Sequence, residues 1–536
     1  MPYDLIITNG KVIDGTGNPW SKADIGIREG KIQKMGQIPT KDAEIIDATG
    51  KIVCPGFIDL HTHSDWTLLV NPLAESKIRQ GVTVEVIGQC GESAAPITEA
   101  TADYFKKTLP DTIRDNVDIT WRTMEEYLQC LNTIGLGINV IPFIGFGTVR
   151  QNVLQFQNRA PALDELETMK GFIREGMKAG AHGLSTGLIY TPQPYARIDE
   201  IVELCHVVHE FQGVYASHIR NETDLLVEAV AEAIEIGRQS GCPVQISHFK
   251  AGGNTNWGKT EITSEMVTAA RTVNIDVTVD QYPYTAGATG LDASLPDWVH
   301  EGGIEKLQER LKNPQTRKKI KEDIEVGIHG WENLIKETGY EGIQITDFAE
   351  DRSLQGKNLA EIAQIRGDAD PADTVFDLLL EAQFRVSIVM HMISEPDVRR
   401  VMTQSFMGVG SDSSSVAPYG PLSKGQPHPR AYGTFARILG HYARDEKVLP
   451  LQEAIRKMTS FASQRFGLID RGLLREHFVA DVVVFDPKEI RDLATYENPH
   501  QYAAGIEYVI LNGQVVIAQG VHTQVKVGQV LRRTST

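Results

Sequence analysis

Both ends of the chain carry short apolar runs that alternate with turn-forming residue pairs. This alternation is typical of a β-meander, in which tight turns join antiparallel strands. Neither end segment is long enough to close a sheet over a good core alone, so we expect the segments to pair with each other. The segments are residues 3–50, 480–487 and 506–520, and their turn pairs are Asn9-Gly10, Asp14-Gly15, Glu29-Gly30 and Asn512-Gly513.

The middle of the chain, from about Pro55 to about Leu468, has a different pattern of apolar and polar positions. A short apolar run that ends in polar or glycine residues is followed by an amphipathic stretch of helical period, and this unit repeats. Eight strands that alternate with helices are what a (β/α)8 barrel requires. The eight strand candidates are residues 57–63, 83–90, 138–147, 181–187, 214–219, 244–249, 276–284 and 407–413.

We therefore predict an α/β protein with a (β/α)8 TIM barrel over residues 55–468. A small β-sandwich domain is predicted from the N- and C-terminal segments, residues 1–54 and 469–536. A ninth apolar run, residues 385–392, has no place in an eight-stranded barrel. Near it we expect residues 303–372, which are rich in Lys and Glu, to form a helical insertion late in the barrel.

Composition and charge limit the partners that this chain can bind. The 536 residues carry a net charge of −17, and such a field repels phosphate backbones and anionic lipid. We therefore expect no nucleic-acid partner. We also expect no membrane partner, because no run reaches the ~18 apolar residues of a membrane span. Asp4 and Lys11 interrupt the segment where a signal sequence is apolar. The five cysteines are odd in number and lack C-x-x-C spacing, which indicates a reducing compartment, and we expect a cytoplasmic protein.

The carboxyl ends of the barrel strands are the positions where catalytic groups lie in this fold. In His-Thr-His at 61–63, the two-residue period of a strand aims both imidazoles at one face. A histidine pair alone is more often a satisfied core or surface feature, but further candidate ligands end other strands. Imidazole, thiolate and carboxylate suit Zn²⁺ and can leave a position open for water. The candidate metal ligands are His61, His63, Cys90, His218, His248 and Asp412.

Cys90 also has a simpler explanation, because free cysteine is among the most buried residue types. Its position at a strand end, between Gln89 and Gly91, favours the ligand interpretation. We interpret the other four cysteines as core residues.

These motifs together resemble the N-acyl-D-amino-acid deacylase (D-aminoacylase) family of the amidohydrolase superfamily. The resemblance covers nearly the whole chain and implies hydrolysis of an amide by a metal-dependent barrel enzyme. The motifs are PGFIDLHTHSD (55–65), GQCG (88–91), GLSTGLIY (183–190), SHIRNE (217–222), SHFK (247–250), DQYPYTAG (280–287), GSDSS (410–414), HPRAYGTFARILG (428–440) and KMTSFAS (457–463).

The resemblance also implies roles for the candidate ligands. Hydantoinase-type relatives bridge two metals with a carboxylated lysine on the fourth strand, but GLSTG contains no lysine. The resemblance therefore implies that Cys90 takes the bridging or ligating role, with His218 and His248 on a tightly held zinc. His61, His63 and Asp412 would complete the site, and a second, weaker ion is left open. Asp412 is the candidate acid/base, since an ionised carboxylate can take the proton of water and deliver it to the leaving amine.

Three residues are candidates for binding a substrate carboxylate. Lys250 lies two residues after His248 and points into the same pocket by period two. The resemblance adds Tyr282 and Arg430, and it implies that the three bind the substrate α-carboxylate. Taken singly, Lys250 and Arg430 would be interpreted as solvated surface charges. We expect Arg430 to take no part in the zinc site.

The sequence departs from the family pattern in three places. No Lys or Arg occurs between Tyr282 and Lys306, where members acting on acidic substrates supply a basic residue, so we expect substrates with neutral or apolar side chains. The segment between Asp412 and Arg430 is longer than in compact members, and it is positioned to reshape the entrance. Phe146 stands where several relatives have histidine, so a polar role there is lost or moved.

The leading hypothesis is a zinc-dependent hydrolase that converts an N-acyl-D-amino acid to the D-amino acid and a carboxylate. One alternative is a cyclic-amide or dipeptide hydrolase on the same scaffold, and another is a catalytically silent scaffold protein. Retention of every candidate ligand argues against the silent protein. Selectivity for D over L substrates is implied by the resemblance alone, and the acyl group and the oligomeric state stay open.

Overall fold

Eight parallel strands form the barrel in the middle of the chain. The computed structural model describes residues 3–40 and 43–533, so residues 1–2, 41–42 and 534–536 of the predicted β-sandwich domain lie outside the described residues. Each predicted barrel segment contains one observed strand, and the third strand is interrupted at Phe143. The barrel strands are Phe57–Asp59, Val82–Ile87, Asn139–Pro142 with Ile144–Gly145, Gly183–Gly187, Val214–His218, Val244–Ile246, Val277–Gln281 and Met407–Val409.

The barrel closes between its first and eighth strands. The backbone N–H of Leu60 donates to the Val409 carbonyl at 3.1 Å, and the N–H of Asp412 donates to the His61 carbonyl at 2.9 Å. Beneath this seam, the buried Lys77 ammonium lies 3.0 Å from Asp59 Oδ2 and donates to the Ser413 carbonyl at 3.0 Å. These bonds hold the carboxyl ends of the two strands together, and candidate ligands follow both ends.

Amphipathic helices cover the outside of the barrel. The helix Leu163–Lys178 shows why: its buried residues Met169, Ile173 and Met177 recur at helical spacing, while charged residues occupy the opposite face. The helix Met124–Ile134 begins with a capping box between Thr123 and Glu126, worth roughly 1 kcal/mol. The outer helices are Glu75–Ile78, Met124–Ile134, Leu163–Lys178, Ile198–Glu210, Leu226–Ser240, Thr260–Thr272, Glu395–Met402, Leu451–Met458 and Ser460–Phe466.

The terminal segments form a two-sheet β-sandwich, and they pair with each other as expected. Val482–Phe485 from the C-terminal segment runs antiparallel to Ile52–Pro55 from the N-terminal one, with Val483 opposite Cys54. Ile7, Ile27 and Val482 belong to the buried core between the sheets. One sheet has the order Lys31–Gly36, Asp24–Arg28, Leu5–Thr8, Glu44–Asp47; the other has the order Val521–His522, Gln514–Ala518, Ile506–Leu511, Val482–Phe485, Ile52–Pro55, Lys11–Val12, Ser21–Lys22.

The end of the C-terminal segment differs from its predicted place in the sandwich. The N–H groups of Gly528 and Leu531 donate to the carbonyls of Leu136 and Val140 on the barrel, at 2.7 and 2.8 Å. His182, buried at the start of the fourth barrel strand, lies with Nε2 2.9 Å from the Leu531 carbonyl. Residues 528–533 therefore run along the barrel, where backbone carbonyls of the barrel accept hydrogen bonds from their N–H groups.

A large insertion separates the seventh and eighth barrel strands. It contains the predicted subregion 303–372, but it is not purely helical. Ile343–Asp347 and Gly287–Gly290 both pair antiparallel with Ser387–Met390, which is the ninth apolar run, so the insertion has its own three-stranded sheet. Its helices are Asp297–His300, Ile304–Lys312, Pro314–Val326, Leu334–Thr338, Leu359–Arg366 and Pro371–Glu381, with 3₁₀ turns at Leu291–Ser294, Tyr340–Gly342 and Arg352–Leu354.

Short helices and turns surround the carboxyl ends of the barrel strands. They are Thr67–Val70, Glu99–Thr108, Asp111–Arg114, Phe146–Leu154, Gln193–Tyr195, Pro421–Ser423 and Arg430–Arg437, the last continuing as a π-helix over Ile438–Asp445. Across residues 3–40 and 43–533, the helices are all too short or too polar to cross a bilayer.

Candidate metal centre and substrate cavity

The candidate ligands follow strand ends where the backbone turns sharply inward. Cys90, His248 and Asp412 have positive φ angles of 52°, 34° and 51°, which L-residues with side chains seldom adopt. Such strain costs about 1–3 kcal/mol per residue and persists only where the surroundings impose it. Here the N–H of His248 donates to Asp280 Oδ1 at 2.8 Å, and that of Asp412 to the His61 carbonyl. The strain turns these side chains toward the barrel axis.

Four of the predicted ligands form one group of donor atoms at this end of the barrel. The Cys90 sulfur lies 3.2 Å from His61 Nε2 and 3.6 Å from His248 Nε2, and Asp412 Oδ1 lies 3.3 Å from His61 Nε2. All four donor atoms lie within 4.8 Å of one another. The sequence placed these residues on different strands, and the structure brings them together.

A second group adjoins the first and shares His248. His218, Glu222 and His248 also offer donor atoms within 4.8 Å of one another. His218 is 4% exposed, and in the described part of the chain neither of its ring nitrogens has a hydrogen-bond partner. A buried imidazole without partners is costly, so this ring is poised to receive a ligand. His63 lies beside both groups, with Nε2 3.0 Å from Asp412 Oδ1.

Glu222 is a functional candidate that the sequence analysis did not single out. Its Oε1 lies 2.9 Å from His248 Nδ1 and 2.6 Å from the Lys250 ammonium. A carboxylate on the far nitrogen of a metal-binding histidine fixes the tautomer and the ring orientation. Its position four residues after His218, within SHIRNE, was the available signal.

Asp280 supports the same centre from the end of the seventh strand. Its Oδ1 lies 3.4 Å from His61 Nδ1 and accepts the backbone N–H of His248, while Oδ2 accepts from Gln245 Nε2 at 2.9 Å. Asp280 therefore holds the backbone of His248 and lies close to the His61 ring without a hydrogen bond to it. It too lay inside a quoted motif, DQYPYTAG, without an assigned role.

The charges of the site favour a bound cation. Burial raises the pKa of the Cys90 thiol, but the neighbouring imidazoles of His61, His218 and His248 together outweigh burial and hold that pKa well below its usual value. Burial likewise raises the pKa of Asp412, but the Arg430 guanidinium and the surrounding histidines together hold that pKa well below its usual value. A thiolate, a carboxylate and several imidazoles form the donor set that zinc prefers in proteins. The residues present therefore fit zinc.

A cavity of about 470 Å³ opens beside the centre, and the three predicted substrate-binding residues line it. The Arg430 guanidinium stacks on the Tyr282 ring at 4.6 Å. The Tyr282 hydroxyl and Arg430 Nε are buried and, among the described residues, have no hydrogen-bond partner. Unsatisfied buried donors carry a free-energy cost that an acceptor such as a carboxylate removes.

The expectation that Arg430 takes no part in the zinc site is wrong. Its Nη1 lies 2.8 Å from Asp412 Oδ2, at ion-pair distance, although the N–H does not point at that oxygen well enough for a hydrogen bond. The helix Arg430–Arg437 begins at this residue and brings the guanidinium back over the centre. Arg430 therefore faces both the acid/base candidate and the cavity.

Lys250 lies at the boundary of the metal centre and the cavity. It donates to the His248 carbonyl at 2.9 Å as well as pairing with Glu222. Its Nζ also lies 2.7 Å from His248 Nδ1, which lies 2.9 Å from Glu222 Oε1, so Lys250, His248 and Glu222 form one buried charged cluster. The three N–H donors of the ammonium have partners in this cluster, and its positive charge lines the cavity.

The rest of the cavity wall has apolar and acidic parts and few cations. Among the described lining residues, Lys250 and Arg430 are the only Lys or Arg. Tyr104, Phe156 and Met392 contribute apolar surface. Phe146, at the position where several relatives have histidine, is fully buried in the main core.

Comparison with known proteins identifies the family of this chain. The amidohydrolase family model matches residues 44–517. D-aminoacylase of Alcaligenes xylosoxydans xylosoxydans is 35% identical over 536 residues, which are 100% of this chain and 99% of that protein. A solved D-aminoacylase, described for its binuclear metal centre with one-metal activation and second-metal attenuation, has a TM-score of 0.83 at 34% identity and covers 99% of this chain and 100% of its own.

A second solved relative was determined with zinc bound. N-acyl-D-glutamate deacylase from Bordetella bronchiseptica, in complex with zinc and a phosphonate inhibitor, has a TM-score of 0.82 at 32% identity over 99% of this chain and 100% of its own. The family match, the identity over the full length and the fold all agree. This chain belongs to the amidohydrolase family, within the group of D-aminoacylases and N-acyl-D-amino-acid deacylases.

Proposed function

We propose that the protein is a zinc-dependent hydrolase that cleaves N-acyl-D-amino acids to a D-amino acid and a carboxylate. One observation carries this proposal. The donor atoms of Cys90, His61, His248 and Asp412 converge at the mouth of the cavity that the unpartnered donors of Tyr282 and Arg430 face. A metal-activating centre and a carboxylate-binding surface therefore adjoin each other.

Cys90, His218 and His248 would hold the tightly bound zinc, and His61, His63 and Asp412 a second, weaker ion. Bound zinc supplies Lewis acidity toward the amide carbonyl and lowers the pKa of water toward ~7. Glu222 orients His248 through Nδ1, and Asp280 lies close to His61 Nδ1. These two carboxylates keep the ring nitrogens on the inner side free for the metal.

Asp412 is the proposed acid/base residue. Oδ1 faces the centre between His61 and His63, and Oδ2 faces Arg430. Since its pKa lies well below the usual value, Asp412 is ionised at neutral pH and can accept a proton from the attacking water. The attack forms the new C–O bond, and returning this proton to the amide nitrogen then lets the C–N bond break, so that the amine and the carboxylate are released.

Lys250, Tyr282 and Arg430 are the proposed ligands of the substrate α-carboxylate. Tyr282 and Arg430 offer unpartnered donors, and Lys250 and Arg430 carry positive charge at the cavity wall. The absence of further Lys or Arg among the described lining residues supports substrates with neutral or apolar side chains. A hydantoin or another cyclic amide has no α-carboxylate, so it would leave these donors unpaired.

The test is a hydrolysis panel on enzyme whose zinc content is measured in the same preparation. It contains N-acetyl-D- and L-leucine, N-acetyl-D-glutamate and hydantoin. We expect the D-leucine derivative to be the best substrate, with activity that is lost on chelation and restored by zinc. Preferred hydrolysis of hydantoin would support the cyclic-amide alternative. No hydrolysis by zinc-loaded enzyme would support the silent scaffold.

We further propose a reducing, cytoplasmic location. In the described structure all five cysteines are free thiols, and four of them, including the candidate ligand Cys90, are buried. An oxidising compartment would expose the ligand thiolate to oxidation. Fractionation of the source cells, with the activity followed through each fraction, tests this location.

A further inference from the structure

A second cavity, of about 420 Å³, borders the metal centre at His63 and Asp412. His63, Asp412 and Arg430 line both cavities, whereas Lys250 and Tyr282 line only the first. We call the first cavity the clamp lobe and the second the distal lobe. The two lobes meet at the centre, so a bound amide has room on both of its sides.

The strand Gly287–Gly290 lies between the two lobes. Ala288 and Thr289 line both of them. Thr289 donates to the hydroxyl of Tyr190, which lines the clamp lobe, at 3.0 Å, and Ala288 accepts weakly from Arg430 Nη2 at 3.4 Å. This strand pairs with Ser387–Met390, so the backbone that separates the two lobes is part of a sheet. A ligand therefore passes from one lobe to the other beside the metal centre.

The distal lobe has a largely apolar wall with a polar outer part. Val416 and Leu422, from the long segment between Asp412 and Arg430, face it together with Ile113 and Ile388. The exposed Lys424 and the half-buried Asp347 also line it. The long segment noted in the sequence thus builds one side of the distal lobe.

Hydrogen bonds hold this segment in place. Val416 N–H donates to Ser76 Oγ at 3.0 Å, Ser414 Oγ donates to the His63 carbonyl at 2.7 Å, and Gln426 N–H donates to the Thr346 carbonyl at 2.7 Å. The wall is therefore formed before a ligand binds, and a ligand does not have to order it.

The connectivity of the substrate decides what each lobe receives. In an N-acyl-amino acid, the α-carbon with its carboxylate lies on the nitrogen side of the amide, and the acyl chain lies on the carbonyl side. The carboxylate ligands Lys250 and Tyr282 place the nitrogen side in the clamp lobe. With the amide at the centre, the carbonyl substituent points past His63 and Asp412 into the distal lobe.

We propose that the distal lobe binds the acyl chain of the substrate and that the enzyme prefers unbranched apolar acyl groups of several carbons over formyl and acetyl. This proposal rests on the proposed deacylase function. Each methylene buried against the wall raises kcat/KM by up to about fourfold. Four added methylenes, from acetyl to hexanoyl, therefore give an increase on the order of 100-fold. The increase stops once the chain reaches Asp347 and Lys424.

The test measures kcat/KM of the zinc-loaded enzyme for N-formyl-, N-acetyl-, N-butanoyl-, N-hexanoyl- and N-octanoyl-D-leucine. The informative variant is Val416→Phe, which fills the distal lobe, and the matched control is Ala293→Phe, which adds the same ring to the clamp lobe alone. We expect Val416→Phe to lower the hexanoyl-to-acetyl ratio at least tenfold. Ala293→Phe leaves this ratio within about twofold of wild type while it changes the preference among D-amino acids.

The outcomes separate the two proposals. Hydrolysis of N-acetyl-D-leucine with a flat chain-length series overturns the acyl lobe and leaves the deacylase function standing. A Val416→Phe variant that alters amino-acid preference instead of chain-length preference also overturns it. Absence of hydrolysis throughout the series overturns the deacylase function itself. If Val416→Phe does not fold, inhibition of wild type by acetate, butanoate and hexanoate decides, and inhibition that does not strengthen with length contradicts the proposal.

Discussion

Replacing Glu222 by Gln removes one negative charge where the metal centre meets the clamp lobe. The wild-type carboxylate is 4% exposed and accepts a hydrogen bond from the Lys250 ammonium at Oε1, which also lies 2.9 Å from His248 Nδ1. Gln keeps the size of the side chain but carries no charge, so the buried ammonium loses its counter-ion. The substitution therefore tests the charge rather than the packing.

The expected losses follow from these contacts. Removing one partner of a buried ion pair typically costs ~3–5 kcal/mol of folding free energy, since the other charge stays buried. Removing the carboxylate that orients a metal-binding histidine lowers metal affinity or activity by about 10- to 100-fold. We expect Glu222→Gln to bind zinc about 10- to 100-fold more weakly. With zinc saturating, KM for N-acetyl-D-leucine should also rise, because Lys250 is no longer positioned.

The assay is competition for zinc with a chromophoric chelator, followed by kinetics at saturating zinc. Glu332→Gln is the matched control, because Glu332 lies in the same cavity, is equally buried and accepts the backbone N–H of Glu222. Burial and the charge of Glu222 raise the pKa of Glu332 to about 8, so its carboxyl is mostly protonated at pH 7 and resembles Gln. The control should keep zinc affinity within about threefold of wild type.

Two results would refute this reasoning about Glu222. Wild-type zinc affinity in Glu222→Gln would mean that His248 needs no carboxylate to orient it. Equal losses in both Gln variants would mean that the cavity tolerates no change at either position and that charge is not the cause.

Three further predictions concern single side chains. Cys90→Ala should lose zinc and activity, whereas Cys242→Ala, whose sulfur contacts a backbone carbonyl in the core, should keep its zinc in elemental analysis. Asp412→Asn should lower kcat by at least ~10²-fold in steady-state assays, and near-normal turnover would move the acid/base role elsewhere. Tyr282→Phe removes a buried unpartnered hydroxyl, so the melting temperature of the ligand-free protein should hold or rise, while kcat/KM falls by roughly 10-fold or more.

A fourth prediction of this kind concerns pH. Burial lowers the pKa of His182 to about 4, so the unfolded chain binds more protons below pH 6.5, and stability is lost as pH falls from 6.5 toward 4. In denaturant unfolding, the stability of His182→Asn should fall by about 3 kcal/mol less than that of wild type over this pH range. Parallel plots of stability against pH for the two proteins would contradict this prediction.

The barrel strands were predictable because parallel strands buried on both faces appear as short apolar runs. The candidate ligands were predictable for a related reason, since the barrel brings all carboxyl ends of its strands to one mouth. Position at a strand end was enough to select Cys90, His218 and His248 before their distances were known. The N- and C-terminal segments could also be assigned to one domain, because each was too short to bury its apolar side chains alone.

Residues that act through another side chain were harder to predict. Glu222 and Asp280 matter because of the ring nitrogens that they contact on His248 and His61, and sequence spacing does not report such contacts. The insertion sheet and the path of residues 528–533 were missed for a similar reason. Their hydrogen bonds join segments that are far apart along the chain, so no local pattern of apolar and polar residues indicates them.

The sequence alone therefore determined the barrel, the sandwich and the set of candidate ligands, because these follow from local periodicity and from the position of a residue in its strand. Only the tertiary structure decided that Arg430 faces Asp412 and that the long segment after Asp412 forms the wall of a second lobe. A salt bridge or a cavity wall depends on distances between side chains from separate elements. Those distances are set when the elements pack.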